Sequence, residues 1–596
     1  MIRAIWLLVI NLYNLQRSVM RKLARSLVGR FKTRPRRFVK LELPPGLALA
    51  GQPRKLGPIV IGHSDRGPWW DFKALLERIA KDPDVEGVYF RIDNHAGGLA
   101  EVAALADQLA TLRAAGKRVL CHFDQAMLKD YLLASAADTV MMTPPGRLYT
   151  FGMRMEMTFL GDAFARFGID ARFIHLGQFK TAMHRFTRNR MSRSQRRGSR
   201  QLLEGLAQSA FQRIANARHI SLDEAYDLLD VAPISARDAR RHHLIDRAVY
   251  ADDVKQSIED EHDCQRPVEL LSTHAYLRAS REPFHWTPVL PRKRSVAVIS
   301  FQGMIMMGNE GLPLALRNVI TPKPAIDLLE RLRKDRTVAA VVVHIDSPGG
   351  SALASDLIWR QLRKLSEHKP TVAFLGNVAA SGGYYIAVGA SQIVALPESL
   401  TGSIGVIAGK LSGGALLEKL GVHTEALTLG KTADFTSLLA PLGDTELHNL
   451  QRDIRAFYRR FLQRVAASRN LEKRTLHRLA RGRVYTGRRA HTIGLVDHVG
   501  DLDLAIDLAC QQAHLNRANT PVHFVDPDKR SWRSLLKTPS PAAARFDVDA
   551  ADPPSLTHAS AAELVPDALE GPLAAAALLK SGAVLALWPF LTTCET

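Results

Sequence analysis

The sequence has little of what would announce redox, metal or extracellular chemistry. Its 596 residues include four cysteines, Cys121, Cys264, Cys510 and Cys594, scattered with no C-x-x-C or zinc-ligand spacing. Neither a disulfide framework nor a metal knuckle is indicated. No H-E-x-x-H occurs, so a metallopeptidase reading fails, and no cofactor or metal is implied. No nucleic-acid-binding motif accompanies the basic charge, so no nucleic-acid partner is expected. The N-terminal apolar run, residues 4–15, is shorter than the roughly 20 residues a spanning helix needs, and no small-residue cleavage site ends it.

What is present is positive charge, formally +21, on a chain too long for a single ordinary core. Much of the excess follows the first apolar run, from Arg17, Arg21 and Lys22 to Arg36, Arg37 and Lys40. Val19, Leu23 and Leu27 recur every four residues among these charges, the pattern of an amphipathic helix lying on a membrane; the alternative is a solvated basic arm. Residues 1–45 are therefore read as a membrane-associated segment. A second apolar stretch, Leu573 to Leu591, is interrupted by Lys580 and Pro589 and suits a membrane contact or a surface helix equally.

Self-similarity organises the rest. Leu75-Leu76-Glu77-Arg78-Ile79-Ala80-Lys81-Asp82, followed by Arg91-Ile92-Asp93, returns 253 positions on as Leu328-Leu329-Glu330-Arg331-Leu332-Arg333-Lys334-Asp335 and His344-Ile345-Asp346. Within each copy, apolar β-branched runs such as 339–343 and 372–375 alternate with helical stretches such as 352–365. That alternation predicts βαβ units around a largely parallel sheet buried on both faces. The expected divisions are a first α/β copy over 46–265, a connection over 266–294, a second copy over 295–515 and a partly disordered tail over 516–596.

Two turns of the second copy could carry chemistry. Asp346-Ser347-Pro348-Gly349-Gly350 lies between a strand and a helix, where backbone amides favour negative charge; glycine used for turn geometry alone is the plain alternative. Ala379-Ala380-Ser381-Gly382-Gly383-Tyr384-Tyr385 also follows a strand and opens a helix. Its serine has room beside it for a substrate backbone, and the Gly382 amide could face a developing oxyanion. A serine N-cap would look the same. His344 falls on the same strand face as Asp346 and reads as a packed residue rather than a base.

The second copy continues through Pro397-Glu398-Ser399-Leu400-Thr401-Gly402-Ser403-Ile404-Gly405-Val406, Arg483-Val484-Tyr485-Thr486-Gly487-Arg488-Arg489-Ala490 and Ile493-Gly494-Leu495-Val496-Asp497. This ordered series resembles the signal peptide peptidase A family in its long, tandem-repeat bacterial form, over roughly residues 50–515. The resemblance implies two tandem crotonase-like or Clp-protease-like α/β units with the active site between them, and a serine nucleophile with a lysine general base. A serine hydroxyl needs a base, and a lysine can serve only when neutral, a state that burial favours. The family pattern around the base is matched by Gly177-Gln178-Phe179-Lys180-Thr181-Ala182, which implies Lys180 as base and Ser381 as nucleophile. Ser403 would orient the lysine amine, and amides of Gly382 and of Gly350 or Gly349 would hold the oxyanion.

The copies divide these roles. Placing Tyr131 to Ala134 on Tyr385 to Val388 sets Met127 opposite Ser381, and placing Leu176-Gly177 on Leu429-Gly430 sets Ala433 opposite Lys180. Lys431, two residues nearer its glycine, is the competing base, and a solvated Lys180 is the plain alternative. The basic neighbours His184, Arg185, Arg188, Arg190, Arg193, Arg196 and Arg197 are expected to favour a neutral lysine further. The resemblance also implies cleaved signal peptides and other unfolded peptides as substrates, a homotetramer, and a bacterial inner-membrane location with a periplasmic body. The positive-inside rule would instead hold the basic side in the cytoplasm. The rival functions are a non-catalytic membrane scaffold of the same fold and an acyl-CoA-processing crotonase-like protein, which has no use for Ser381 and Lys180 together.

Overall fold

A computed structural model describes residue 16 and residues 35–525, apart from 45, 47–52, 57–58, 64–66, 151, 229–230, 261–266, 281–293 and 309–318. The N-terminal apolar run, almost all of the basic segment after it and the C-terminal apolar stretch lie outside the described residues. Among those described, no helix is long and apolar enough to cross a membrane.

The first copy contributes β1 (Arg36–Leu41), β2 (Val85–Ile92), β3 (Arg118–Met127), β4 (Thr139–Thr150), β5 (Asp170–Leu176), β6 (Ile234–Ser235), β7 (Arg247–Ala248) and β8 (Val268–Ser272). All but β5 form one sheet of order β8-β1-β2-β3-β4-β6, with β7 beside β4. The second copy contributes β9 (Ser295–Gln302), β10 (Val338–Ser347), β11 (Thr371–Ala380), β12 (Gln392–Ala395), β13 (Leu400–Gly402), β14 (Val406–Ser412), β15 (Val484–Thr486), β16 (His498–Val499) and β17 (Val522–Phe524). Its sheet runs β15-β13-β11-β10-β9-β17, with β12 between β11 and β16. The orders correspond, with the single strand β4 taking the places of both β12 and β13, and only the β4–β6 and β13–β15 contacts within these sheets are antiparallel.

Three boundaries differ from expectation. Arg36–Leu41, counted with the basic membrane segment, is a strand inside the first sheet, with Phe38 and Val39 fully buried. Its two arginines pair with Glu86 and with Glu269, the latter at 3.0 Å. Residues 268–279, assigned to the connection, form β8 and a helix of the first copy, Thr273–Ala279. Residues 522–524, assigned to the tail, form β17 along β9.

The period of two in the second copy explains why the middle of its sheet is apolar on both faces. Ala297, Ile299, Val341, Val343, Ala373 and Leu375 face its own helices. Their neighbours Val296, Val298, Val342, Val372 and Phe374 face a core shared with the first copy's helix Leu99–Ala114. Polar contacts close the same interface. Lys73 pairs with Asp503, Gln108 Nε2 donates to Asp501 Oδ2 at 3.1 Å, and Arg213 Nε and Ser209 Oγ both donate to Glu398 Oε1, at 2.9 and 2.6 Å.

The duplication extends to buried polar contacts. Tyr131 OH donates to Leu244 O at 2.6 Å in one copy and Tyr384 OH to Leu495 O at 2.7 Å in the other. Arg218 chelates Asp246 as Arg469 chelates Asp497. This equivalence of Tyr131 with Tyr384, not Tyr385, moves the alignment by one residue. Leu128, not Met127, stands opposite Ser381, and the first copy lacks the hydroxyl on either alignment.

The copies are also joined outside their sheets. β5 of the first copy pairs antiparallel with β14 of the second, from Val406 opposite Leu176 to Ser412 opposite Asp170. Lys180 follows β5 and Ser403 precedes β14, so this ladder sets the chemistry-bearing loops side by side.

Candidate active site

Ser381 sits where β11 ends and the helix Gly382–Ala387 begins, at the carboxyl edge of the parallel sheet, the usual place for a site in open α/β folds. Its backbone has φ 54° and ψ −115°, a conformation costing on the order of 1–3 kcal/mol for a residue with a Cβ. The strained turn from strand to helix is how other hydrolases present a serine. An ordinary N-cap has β-region dihedrals and accepts a backbone hydrogen bond through its side chain; Ser381 does neither. The turn is held by the Ser381 amide, which donates to Gly402 O at 2.9 Å, and by Thr401 Oγ1, which donates to Ala379 O at 2.7 Å.

The Lys180 loop is clamped by the other copy. Phe179 N donates to Arg481 O at 2.9 Å, and Gly482 N to Ile404 O at 2.8 Å. A Cβ on Gly482, which has φ 79°, would lie 2.5 Å from Lys180 N, so a side chain there would displace the loop. Lys180 is 3% exposed, and its Nζ donates to Ser403 Oγ at 2.8 Å and to Ser403 O at 3.0 Å. The Gly402–Ser403 segment thus bonds the Ser381 backbone through its first residue and the Lys180 amine through its second, so that residues 201 positions apart hold the same segment.

Burial pushes the Lys180 amine down from its usual value near 10.5 to about 7. The expected help from neighbouring positive charge is not a cause of this shift; the basic cluster bears instead on His184, held at about 4 first by burial and then by Arg188 and His175. Lys431, the competing base, lies in an exposed turn.

The two candidate oxyanion glycines of the Asp346 turn are not equivalent. Gly349 N donates to Ser347 Oγ at 3.2 Å, so its amide is engaged. Gly350 forms a parallel bridge with Ile305, in which Gly349 O and Ser351 N supply the hydrogen bonds at 2.9 and 2.7 Å. The Gly350 N–H consequently points to the opposite edge. A Cβ on Gly349, at φ 104°, would come within 2.8 Å of Ser381 Cβ, which shows how closely this turn lies against the serine. Gly382 opens a helix, and its N–H has no carbonyl four residues back within that helix to bond.

His344 is fully buried, its Nδ1 2.8 Å from Ser300 Oγ, and burial pushes it down to about 3. It is the packed residue the sequence suggests. Arg481 and Gly482, which grip the lysine loop, were not foreseen. They lie just ahead of the Arg483-Val484-Tyr485-Thr486-Gly487 motif, the signal that could have pointed to them.

A serine in a strained strand-to-helix turn and a buried lysine of lowered proton affinity both bond to one two-residue segment of an α/β duplication. Residues 111–265 and 363–516 match Peptidase family S49. The chain belongs to that family, in the long two-copy form, and is a serine peptidase. It is 29% identical over 453 residues to the chloroplastic serine protease SPPA of Arabidopsis thaliana, covering 76% of this chain and 67% of that one. Protease 4 of Salmonella typhi is 27% identical over 468 residues, with 77% and 74% covered. Protease 4 of Haemophilus influenzae is 26% identical over 454 residues, with 74% and 72% covered. Among solved structures, a mutant of a membrane-bound stomatin-specific protease aligns at TM-score 0.24 and 15% identity, covering 39% of this chain and 98% of that one.

Proposed function

We propose that the chain is a membrane-associated endopeptidase that cleaves signal peptides and other short or unfolded peptides through an acyl-enzyme, with Ser381 as nucleophile and Lys180 as general base. The observation that carries the reading is the hydrogen bonding of the buried amine. A neutral lysine has two N–H groups and one lone pair, and both N–H groups are accounted for by Ser403 Oγ and Ser403 O. The lone pair is left for the Ser381 proton.

In this mechanism Ser381 Oγ bonds to the scissile carbonyl carbon as its proton passes to Lys180 Nζ. Amides of Gly382 and Gly350 hold the resulting oxyanion. The intermediate collapses with cleavage of the C–N bond, and Lys180 returns the proton to the leaving amine. Water then attacks the acyl ester, giving its proton to Lys180 and restoring Ser381.

A fluorophosphonate probe tests the assignment against the acyl-CoA and scaffold alternatives. Labelling is expected at Ser381 in the unaltered protein and absent from Ser381→Ala; an unlabelled unaltered protein would favour the alternatives.

Membrane attachment through the N-terminal segment, a periplasmic body and a homotetramer complete the proposal. Because β1 is integral to the first sheet, the segment free for membrane contact ends before Arg36. Deletion of residues 1–34 is expected to release the protein from anionic vesicles, since basic residues contribute about 1 kcal/mol each near such a surface. Unchanged sedimentation with vesicles would move the anchor elsewhere in the chain.

A further inference from the structure

The long helix of the second copy, Asp444–Arg469, divides its arginines into two sets. Arg460 lies over the Phe457 ring, Arg464 lies over Trp359 and 4.0 Å from Asp356, and Arg469 chelates Asp497. Arg452, Arg455 and Arg459 are exposed, and their guanidiniums pair with no carboxylate among the described residues. With His448 they fall at i, i+4, i+7 and i+11, one stripe of the helix. Asp453 is about 100° or more round the axis from each of the three arginines, and Asp444 is about 12 Å ahead of Arg452.

Such a stripe weakens the helix that carries it, because like charges three and four residues apart repel. Nor does it follow from the duplication. Arg218 and Arg469 are equivalent, and the helices that hold them both close on a left-handed residue, His219 and Asn470. The counterparts of Arg452, Arg455 and Arg459 are therefore Gln201, Glu204 and Gln208. The stripe borders a cavity of about 490 Å³ whose other walls include Leu176 and Tyr458. Leu176 ends β5, four residues before Lys180. A Cβ on Gly405 would lie 2.8 Å from Leu176 O and 3.2 Å from Lys180 Cδ, so a single glycine stands between the cavity wall and the stem of the lysine.

We propose that this cavity receives acidic side chains of the peptide being cut, so that the enzyme selects peptides carrying a run of carboxylates on one side of the scissile bond and disfavours a run of lysines there. Guanidinium forks match carboxylates in geometry as well as charge. Each exposed pair contributes little alone, so the three arginines together recognise a run of acids rather than a single one. The inference rests on the peptidase reading above, in which Lys180 belongs to the site, and it adds a charge preference to that site.

The test reads binding, not turnover. Full-length Ser381→Ala is titrated with fluorescent peptides that share a neutral centre and carry glutamates, glutamines or lysines as a flank on one side or the other. By fluorescence anisotropy at low salt, the glutamate flank on one side is expected to lower Kd by about 10-fold relative to glutamine and the lysine flank to raise it, both differences shrinking as salt is added. Combining Arg452→Gln, Arg455→Gln and Arg459→Gln in this background is expected to abolish the glutamate advantage. Combining Arg237→Gln, Arg240→Gln and Arg241→Gln, which removes the same charge from the exposed face of the helix Ala236–Arg241, is expected to keep it. Equal Kd values for the three flanks, or an advantage that survives the first set of changes or falls equally with the second, would overturn the proposal. A first set that keeps the advantage but loses binding to anionic vesicles would overturn it too, by making the stripe a lipid site. Fluorophosphonate labelling of the unaltered chain reads the catalytic assignment separately, so the two readings fail independently.

Discussion

Ser381→Ala is expected to lower hydrolysis of a fluorogenic peptide by roughly 10⁴-fold or more, because removing a covalent nucleophile leaves only binding and oxyanion stabilisation. The variant should remain folded and assembled, since the hydrogen bonds of the turn are made by the Ser381 backbone and by Thr401, not by the Ser381 hydroxyl. Ser381→Gly separates chemistry from strain. It removes the same hydroxyl, but glycine tolerates the positive φ, so it should recover part of the ~1–3 kcal/mol of backbone strain and raise Tm above that of Ser381→Ala. Near wild-type turnover by either variant would remove Ser381 from the reaction. Equal Tm values would show that the turn stores no strain.

The duplication and the alternating α/β pattern were legible because both are written in local sequence. Runs such as Val341-Val342-Val343 are buried on both faces, so every residue is apolar. The outer strands were hidden for the opposite reason. Arg36 to Leu41 reads as part of a basic arm because the carboxylates that neutralise Arg36 and Arg37 lie at Glu86 and Glu269, 50 and 232 residues away. β17 is three residues long and owes its place to β9, not to its own composition. Of the site, the serine, lysine and Ser403 were visible as motif positions. That Ser381 and Lys180 bond to the same Gly402–Ser403 segment depends on the β5–β14 ladder between copies, which no local pattern announces. The difference between Gly349 and Gly350 is a matter of where each amide points, and the sequence shows two adjacent glycines and nothing more.

Lys180→Ala is expected to reduce turnover by roughly 10²–10⁴-fold, the usual contribution of a positioned general base, while Lys431→Ala, in its exposed turn, retains most of the activity. Lys180→Arg should fail like alanine, because a guanidinium stays protonated and cannot accept the serine proton. The unaltered enzyme's kcat/KM should rise with pH through about 7, the value to which burial lowers the amine. Stability carries the same signature with a defined sign. Below about pH 7 the amine is charged in both folded and unfolded chains, and the folded state bears the cost of burying that charge. Between about pH 7 and the unfolded value of about 10.4, the unfolded chain binds one more proton than the folded one, so stability rises with pH across that window. Lys180→Met keeps an apolar stem of similar length without the ionisable group. It should be inactive, more stable than the unaltered protein at pH 6, and free of this rise. A pH–rate profile flat from 6 to 9, or a Lys180→Met variant destabilised at pH 6, would show that Lys180 is held as a charged structural residue rather than as a neutral base.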